Sequence, residues 1–304
     1  MKKPFLTVYG HITVDQIMSL PKFPGINETV DILEKHTSLG GTGPNIALTA
    51  ARLGVPTALC GFVGIDFPPR FMQEMLDAQL ITNELLTLDQ YESSVAMVFN
   101  DRELKQKVVF YQGPQGSASQ LNIDLLDNAR QSEFVHFCTG DPDYYLRLME
   151  KLDGKPYAVD PSQETYRFWP AHVLKKALAA AGSLFCNNYE AEVIEERLGL
   201  NSVLDLDLPL VVRTDGAEGS VAKIAGEPVR IPCVAGGPAV DATGCGDAYR
   251  AGYYAGRYHG YAVHESLVLA AATASFVIEK FGALTNTPTW TQLLRRAKPY
   301  LEAL

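Results

Sequence analysis

The chain has 304 residues, 47% of them hydrophobic and 20% charged, which is ordinary for a globular protein with a sizeable core. Its formal net charge of −9 disfavours nucleic acid as a partner, because a phosphate backbone would be repelled, but it allows a small anionic ligand in a locally positive pocket. The five cysteines are odd in number and form no CxxC pair, which argues against a disulfide framework or a zinc cluster and favours a cytoplasmic location.

The apolar runs of the sequence are too short for a membrane span. The start, MKKPFLTVYG, is followed by His11 and Asp15, so it lacks the long apolar core of a signal peptide. The run SLVLAAATASFVI, residues 266–278, has 13 residues, against roughly 20 for a membrane helix. The sequence therefore predicts a buried helix at this run and no membrane partner.

Short apolar strands alternate with helical patterns through most of the chain. A strand is predicted at 5–10, a helix at 44–54, a strand at 57–64 and a helix at 70–79. The same alternation continues with strands at 133–138, 156–160, 183–187 and 209–214, and with helices at 143–152, 171–182, 190–199, 247–258, about 263–280 and about 289–302. This order predicts parallel strands with helices on both faces of one sheet.

Two segments depart from this alternation. The segment of roughly residues 12–38 carries no helical pattern. The pattern of residues 93–112 predicts a β-hairpin with a polar turn at Asn100–Arg102. Both alternate apolar and polar residues, as a sheet with one solvated face does. They predict a small separate sheet, which is either a cover over a ligand site or an ordinary surface hairpin.

Polar residues follow several of the predicted strands. They are Asp141, Asp160, Asn187, Thr214 and Asp215. Ligands of open parallel sheets bind beyond the carboxyl ends of the strands, although residues of these types are also common helix caps. Together they predict a polar crevice along this edge of the sheet.

The stretch DATGCGD, residues 241–247, leads into the helix predicted at 247–258. If the helix starts near Gly246, the amides of Gly244, Cys245, Gly246 and Asp247 would line an anion site. Amides fixed in this way can stabilise the charge that develops on a transferring phosphoryl group. Asp247 would then lie within reach of the attacking hydroxyl as a general base, its alternative role being an N-terminal cap.

Four motifs together point to a known family. DATGCGDAYRAG (241–252) follows the pattern D-x-x-G-A-G-D, and GGTGPNIALTAARLG (40–54) is a Gly-Gly loop followed by an asparagine and a helix. NNYE (187–190) matches N-x-x-E, and TDGAEG (214–219) matches T-x-G-x-x-G. In kind and order these motifs resemble those of the PfkB/ribokinase family of sugar and nucleoside kinases. The resemblance covers essentially the whole chain and is greatest to the archaeal-type nucleoside kinases.

This resemblance implies a ribokinase-like α/β fold, with a doubly wound, mainly parallel sheet flanked by helices. It implies one kinase domain over 1–304, with a β-sheet lid formed by roughly 12–38 and 93–112. The expected activity is ATP-dependent transfer of the γ-phosphoryl group to a hydroxymethyl group of a nucleoside, with Mg²⁺. The alternative acceptor is a free sugar or a sugar phosphate, and the lid offers a surface for a homodimer.

The resemblance also assigns roles to residues. Asp247 matches the catalytic base, and Gly244, Cys245 and Gly246 match the anion hole. The positions that match acceptor-binding residues are Asp15, Gly40, Gly41 and Asn45. The positions that match ATP-binding residues are Asn187, Thr214, Gly216 and Gly219. Glu190 matches a position that contacts Mg²⁺ through water, and Asp241 one associated with a monovalent cation, K⁺ or Na⁺, in several members.

Cys245 departs from the family pattern, which usually has alanine there. Since the anion hole uses backbone N–H groups, a small cysteine should be tolerated. A thiol at a helix start is expected to have a lowered pKa, which leaves a cysteine-dependent hydrolase and oxidative inhibition of a kinase as alternatives. A ligand-binding regulator without activity is a further alternative, against which an intact Asp247 argues. Arg250 is expected to pair with a carboxylate or to touch phosphate, and His11 to be a packed or capping residue.

Overall fold

The computed structural model describes residues 3–103 and 105–304, which contain thirteen β-strands and ten α-helices. The strands are β1 Leu6–Tyr9, β2 Thr13–Ser19, β3 Glu34–Gly40, β4 Thr57–Gly64, β5 Leu85–Leu88, β6 Ser94–Asn100, β7 Gln106–Tyr111, β8 Phe134–Phe137, β9 Ala158–Val159, β10 Ser183–Asn187, β11 Leu210–Thr214, β12 Ser220–Ile224 and β13 Glu227–Ile231. The helices are α1 Thr42–Arg52, α2 Pro69–Asp77, α3 Asp127–Gln131, α4 Pro142–Glu150, α5 Thr165–Phe168, α6 Ala171–Leu178, α7 Asn188–Leu198, α8 Cys245–Tyr258, α9 Val263–Val277 and α10 Trp290–Leu301.

Nine strands form the main sheet, in the order β13-β12-β11-β10-β9-β8-β1-β4-β5. Every neighbouring pair from β11 to β5 is parallel, whereas β11–β12 and β12–β13 are antiparallel. All eight residues of β4 are buried, as expected for a parallel strand with helices on both faces. The predicted mainly parallel sheet is therefore confirmed.

Side chains of β1 alternate between the two faces of the main sheet. Leu6 and Val8 join a cluster of buried apolar residues that includes α1, α8 and α9, whereas Tyr9 joins the cluster that includes α4, α6 and α7. Helices thus cover both faces, which is the predicted doubly wound arrangement. The longest described helix, α9, has 15 residues, and none of the helices within the described ranges combines the length and hydropathy of a membrane span.

The hairpin β12–β13 was not predicted from the sequence. Charged side chains at Lys223, Glu227 and Arg230 interrupt its apolar pattern, so neither strand shows the run of β-formers that marks β10 or β11. The hairpin adds two antiparallel strands at the β11 edge of the main sheet. It brings the loop between β11 and β12 to the carboxyl end of β11.

Four strands form the lid sheet, in the order β3-β2-β6-β7. They come from the two predicted segments, since β2 and β3 lie within 12–38 except for the last two residues of β3, and β6 and β7 lie within 93–112. The last pair of the β6–β7 ladder is Asn100 with Gln106, so the turn is longer than the predicted Asn100–Arg102. Position 104 of this turn lies outside the described residues.

The lid sheet joins the main sheet through residues 10–12 and 112–115, here called the lid connections. Gln115 clamps the first connection, because its Oε1 accepts the Ile12 N–H at 2.7 Å and its Nε2 donates to the Gly10 carbonyl at 2.9 Å. His11 Nε2 lies 2.7 Å from Gln112 Oε1. The lid connections are thus bonded to each other at the edge where the predicted site residues meet.

Candidate active site

The start of α8 presents free backbone amides. Gly244 takes a left-handed conformation with φ of 75°, and the helix begins at Cys245, close to the predicted start. A Cβ atom at Gly244 would lie 2.2 Å from that of Ala283, so glycine is required there. The Cys245 N–H donates to the Ala242 carbonyl at 3.2 Å. The amides of Gly244, Gly246 and Asp247 donate to no acceptor among residues 3–103 and 105–304, which leaves three of the four expected donors for an anion.

Asp247 and Asn45 form a pair across the two halves of the chain. Asn45 on α1 donates from Nδ2 to Asp247 Oδ2 at 2.8 Å, although 202 positions separate the two residues. Asn45 is 8% exposed, and its Oδ1 has no hydrogen-bond partner in the part of the chain that the structure describes. Buried acceptors are nearly always satisfied, so this oxygen points to a missing donor such as a substrate hydroxyl.

The carboxyl group of Asp247 has a strongly shifted pKa. Burial raises it to about 7, and the charges of Asp160 and Glu190 act in the same direction. The Asn45 hydrogen bond and the positive charge of Arg250 oppose the increase but do not cancel it. A carboxylate that titrates near neutral pH is well suited to accept a proton from an alcohol.

The predicted acceptor-binding residues lie together where the lid sheet meets α1. A Cβ atom at Gly40 would lie 2.0 Å from Asp15 Oδ2, so only glycine leaves room for that carboxylate. Gly41 has φ of 90°, and its carbonyl accepts the Asn45 N–H at 3.1 Å. Asp15 Oδ1 accepts from Thr13 Oγ1 at 2.6 Å, and burial raises the pKa of Asp15. Gly41 thus connects this group to Asn45, which binds Asp247.

Asn187 and Glu190 cap α7 reciprocally. The Asn187 side chain accepts from the Glu190 N–H at 2.8 Å, and both carboxylate oxygens of Glu190 accept from Asn187, each at 2.8 Å. Burial raises the pKa of Glu190. No group of three or more His, Cys, Asp or Glu side chains in the described ranges is arranged to hold a metal ion.

The predicted ATP loop lies between β11 and β12. Thr214 is registered opposite Asn187 on β10, so the N-x-x-E motif and the loop lie side by side. Gly216 and Gly219 have φ of 59° and 85°, and a Cβ atom at Gly219 would lie 2.3 Å from the Ile231 carbonyl oxygen. The tight turn of this loop, which is closed by β13, thus depends on glycine.

Asp241 ties the loop before α8 to the turn after α9. Its Oδ1 accepts from Thr243 N and Oγ1 at 2.9 and 2.7 Å, and its Oδ2 accepts from Gly282 N at 2.9 Å. Burial is the largest single influence on the pKa of Asp241 and raises it. The hydrogen bonds from Thr243 and Gly282 together outweigh burial, so the pKa lies below the ordinary value. The carboxylate stays ionised at neutral pH, and a role for it in binding a monovalent cation stays a prediction.

Comparison with known proteins decides the family. The pfkB family carbohydrate kinase profile matches residues 3–290. The chain belongs to this family. It is 30% identical over 299 residues to the nucleoside kinase of Methanocaldococcus jannaschii, covering 97% of each chain, and 31% identical over 298 residues to that of Methanothermobacter thermautotrophicus, covering 96% of this chain and 94% of the relative.

The crystal structure of the M. jannaschii nucleoside kinase, an archaeal member of the ribokinase family, superposes with a TM-score of 0.90 at 29% identity. The superposition covers 98% of this chain and 100% of that one. The resemblance to archaeal nucleoside kinases and the ribokinase-like fold are therefore confirmed. This pfkB-family protein is a phosphotransferase with an alcohol group as acceptor.

The thiol of Cys245 in this pfkB-family kinase does not have a lowered pKa. Burial, with smaller contributions from Asp241 and Asp247, raises the pKa of Cys245 to about 11, whereas the sequence predicted a lowered value. Its Sγ contacts the carbonyl oxygens of Asp241 and Ala274 at 4.0 and 3.9 Å. The helix start therefore does not produce a thiolate here, because neighbouring carboxylates and burial disfavour a second negative charge. The cysteine-hydrolase alternative loses its basis.

Sequence reasoning missed His136 and the partner of Arg250. Arg250 donates from Nε and Nη2 to the two oxygens of Asp160, at 2.8 and 3.1 Å, which confirms the expected pairing with a carboxylate. His136 Nε2 lies 3.2 Å from Asp160 Oδ2, and its Nδ1 lies 2.8 Å from the Tyr254 hydroxyl. The position of Asp160 after a predicted strand was the available signal. His11, by contrast, is packed as expected, next to Gln112.

Proposed function

We propose that this protein is an ATP-dependent kinase that transfers the γ-phosphoryl group to a hydroxymethyl group of a nucleoside. The observation that carries the proposal is the Asn45–Asp247 pair. It places a carboxylate with a pKa near 7 beside the free amides that start α8, and it leaves Asn45 Oδ1 without a donor. A general base, an anion site and an unsatisfied acceptor within one cluster suit phosphoryl transfer to an alcohol.

The acceptor alcohol would lie against Asp247. As the oxygen attacks the γ-phosphorus in line, its O–H bond breaks and the proton passes to the Asp247 carboxylate, while the bond from phosphorus to the β,γ-bridging oxygen of ATP breaks and ADP leaves. The sugar's other hydroxyls would donate to Asn45 Oδ1 and to Asp15, whose carboxylate can accept two hydrogen bonds from a vicinal diol. This arrangement fixes the reacting hydroxyl near the base.

The phosphates of ATP would lie on the loop of Thr214, Gly216 and Gly219, with the γ-phosphate at the amides of Gly244, Gly246 and Asp247. These amides point at the group on which negative charge is spread in the transition state. Mg²⁺ would neutralise the phosphates, and Glu190 fits a contact through water, since each of its oxygens has a further lone pair beside the one used by Asn187.

A nucleoside suits the site better than a sugar phosphate. A sugar-phosphate acceptor needs basic side chains at the pocket. The candidates near the turn of the lid sheet are Arg102, Lys105 and Lys107, and the two lysines have other partners. Lys105 pairs with Glu103 at 2.6 Å on the exposed turn, and the Lys107 ammonium lies 4.7 Å from the centre of the Phe23 ring. The nucleoside kinases among the relatives support the same choice.

The experiment that tests the proposal measures ATP consumption with Mg²⁺ across a panel of nucleosides, free sugars and sugar phosphates. Turnover is expected with nucleosides. Turnover with only a sugar phosphate would overturn the assignment of a nucleoside acceptor, and the assignment as a kinase would still hold.

Replacement of the base is the sharpest test of its role. Asp247→Asn should lower kcat by roughly 10²–10⁴-fold, the range for losing a general base, and leave the fold intact. Asp143→Asn, which changes an exposed first-turn aspartate of α4, serves as the matched control. A folded Asp247→Asn protein with wild-type turnover would rule out proton transfer to Asp247.

The location and the assembly of the protein are further parts of the proposal. The absence of a CxxC pair favours the cytoplasm, and the charge of −9 disfavours nucleic acid. The outer strand of the lid sheet, β7, exposes Val108 and Val109 by 54% and 58%, which supports a homodimer through this sheet.

A further inference from the structure

A buried hydrogen-bonded chain runs from the main sheet to the start of α8. Its members are Tyr254, His136, Asp160, Arg250 and the Gly246 carbonyl. Asp160 and Arg250 are 2% and 3% exposed, and the side chain of His136 is fully buried. The guanidinium of Arg250 uses Nε and Nη2 for the Asp160 carboxylate and Nη1 for the Gly246 carbonyl oxygen at 3.2 Å. All three guanidinium nitrogens are therefore engaged.

The contact with Gly246 bears on the anion site through a single peptide unit. The carbonyl of Gly246 and the N–H of Asp247 belong to the same planar trans peptide, so they point in opposite directions. A charged donor on the carbonyl end fixes the orientation of this plane and polarises the peptide, which strengthens the N–H as a donor. That N–H is one of the three free amides at the start of α8.

We infer that Arg250 is a positioning residue for phosphoryl transfer, which holds the Gly246–Asp247 peptide so that its N–H faces the migrating group. Asp160 in turn fixes the guanidinium, and His136 on β8 fixes Asp160. This inference rests on the proposed kinase function and goes beyond it, because Arg250 touches neither substrate in the proposed arrangement. It acts through the backbone that does.

The energetics of the ion pair support a geometric role. An arginine and an aspartate lose their hydration when they are buried, and this loss offsets most of the free energy of their attraction. Such pairs therefore contribute little net stability. Their planar, two-point contact restricts the orientation of both groups instead. Lysine cannot reproduce this, because one ammonium nitrogen cannot reach two carboxylate oxygens and a carbonyl oxygen with the fixed geometry of the guanidinium fork.

The charge of Arg250 also acts on Asp247. It lowers the pKa of that carboxyl group, against the burial and the charges of Asp160 and Glu190 that raise it. Loss of the positive charge should therefore raise the pKa of Asp247 further, so that more base is protonated at neutral pH. The orientation of the Gly246–Asp247 peptide and the positive charge of Arg250 both favour the transition state.

The test compares four variants in full-length protein. Arg250→Lys keeps the charge and loses the fork, and Arg250→Gln loses both. Since Arg250→Gln leaves the buried Asp160 carboxylate without its arginine and can fail to fold, the double variant Arg250→Gln/Asp160→Asn removes both buried charges together. The matched control is Arg257→Lys on the same helix, whose side chain donates to the Tyr261 carbonyl far from the helix start.

We expect kcat to fall about tenfold in Arg250→Lys and about 10²-fold in the double variant, with KM for ATP and nucleoside within about threefold of wild type. If Arg250 only stabilised the fold, its replacement would not lower kcat in folded protein while KM stays almost unchanged. Unchanged kcat in both folded variants, or an equal loss in Arg257→Lys, would overturn the inference.

A second measurement needs no acceptor and no activity. The amide resonance of Asp247 should shift in Arg250→Lys and should stay unchanged in Arg257→Lys. An unchanged Asp247 amide would overturn the positioning role even if nucleosides are phosphorylated. Absence of turnover in the wild-type protein, together with the expected amide changes, would overturn the proposed function and keep the positioning role.

Discussion

At the scale of single residues, the site is built on an unsatisfied amide oxygen and a carboxyl group shifted toward neutral pH. Asn45 connects the two features, because its Nδ2 binds Asp247 and its Oδ1 stays available. The glycines at a helix start predicted Asp247, and the resemblance to the family predicted Asn45. The partner of Arg250 could not be predicted, because Asp160 lies 90 positions away and only the packing of α8 on the sheet brings it close.

The Asn45 side chain should set the pH dependence of the reaction. Asp247, the proposed base, has a pKa of about 7, so kcat/KM should rise as pH increases through neutrality. Asn45→Leu removes the hydrogen bond that lowers this pKa, so the rise should move to higher pH. We expect the variant to lose about tenfold more kcat/KM at pH 6 than at pH 8, relative to wild type.

This dependence is measured from kcat/KM profiles of the two proteins. The KM for the acceptor should also increase in Asn45→Leu, because Oδ1 is lost. If the two profiles of kcat/KM against pH have the same shape after scaling, Asn45 does not influence the pKa of Asp247.

At the scale of elements, the sequence was most informative where strands are buried and least informative at the sheet edge. The strands β4 and β10 have the predicted bounds, since every position of β4 and the centre of β10 are buried and most of these positions are apolar. The two-residue strand β9 is shorter than the predicted 156–160 at both ends, and Pro161 with the turn after it stops the strand at its carboxyl end. The β12–β13 hairpin is half solvated and carries charges, so its strands resemble loop sequence.

The hairpin nevertheless constrains the ATP loop through Gly219. Gly219→Ala must accept φ of 85° and also place a Cβ atom 2.3 Å from the Ile231 carbonyl oxygen. Gly226→Ala, in the β12–β13 turn, faces φ of 93° and no atom within 4 Å. We expect a loss of about 1 kcal/mol in the free energy of unfolding for Gly226→Ala and about 3 kcal/mol or more for Gly219→Ala.

Urea unfolding of both variants against wild type measures this difference. The KM for ATP should rise in Gly219→Ala alone. Equal losses of stability would mean that the turn relaxes freely around the added methyl group and that β13 does not hold the loop.

At the scale of the whole molecule, the lid connections place a histidine in a fully packed environment. Burial lowers the pKa of His11 to about 4, and its Nδ1 lies 3.5 Å from Glu164 Oε1. Burial raises the pKa of Glu164 to about 7. Between pH 4 and 6.5, the unfolded chain binds more protons at His11 than the folded protein does, so acid should weaken the fold through this residue.

His11→Gln should remove this acid sensitivity. Because the folded pKa lies below the unfolded one, wild type should lose about 2 kcal/mol of stability relative to the variant between pH 8 and pH 5. Glu164 has the opposite sign, since its raised pKa favours the folded state at lower pH, but it is present in both proteins. Chemical denaturation at the two pH values measures the difference, and a constant gap between the proteins would contradict a neutral, buried His11.

The contact between Asn45 and Asp247 spans 202 positions, and its second half lies after the last strand of the main sheet, which ends at Ile231. A ribosome making this chain would thus release every strand before it releases α8. The nascent protein can assemble its sheet while its base has not yet emerged. With Asp247 as the proposed base, we expect unfinished chains to consume no ATP and activity to begin only after α8 has left the exit tunnel and packed on α1.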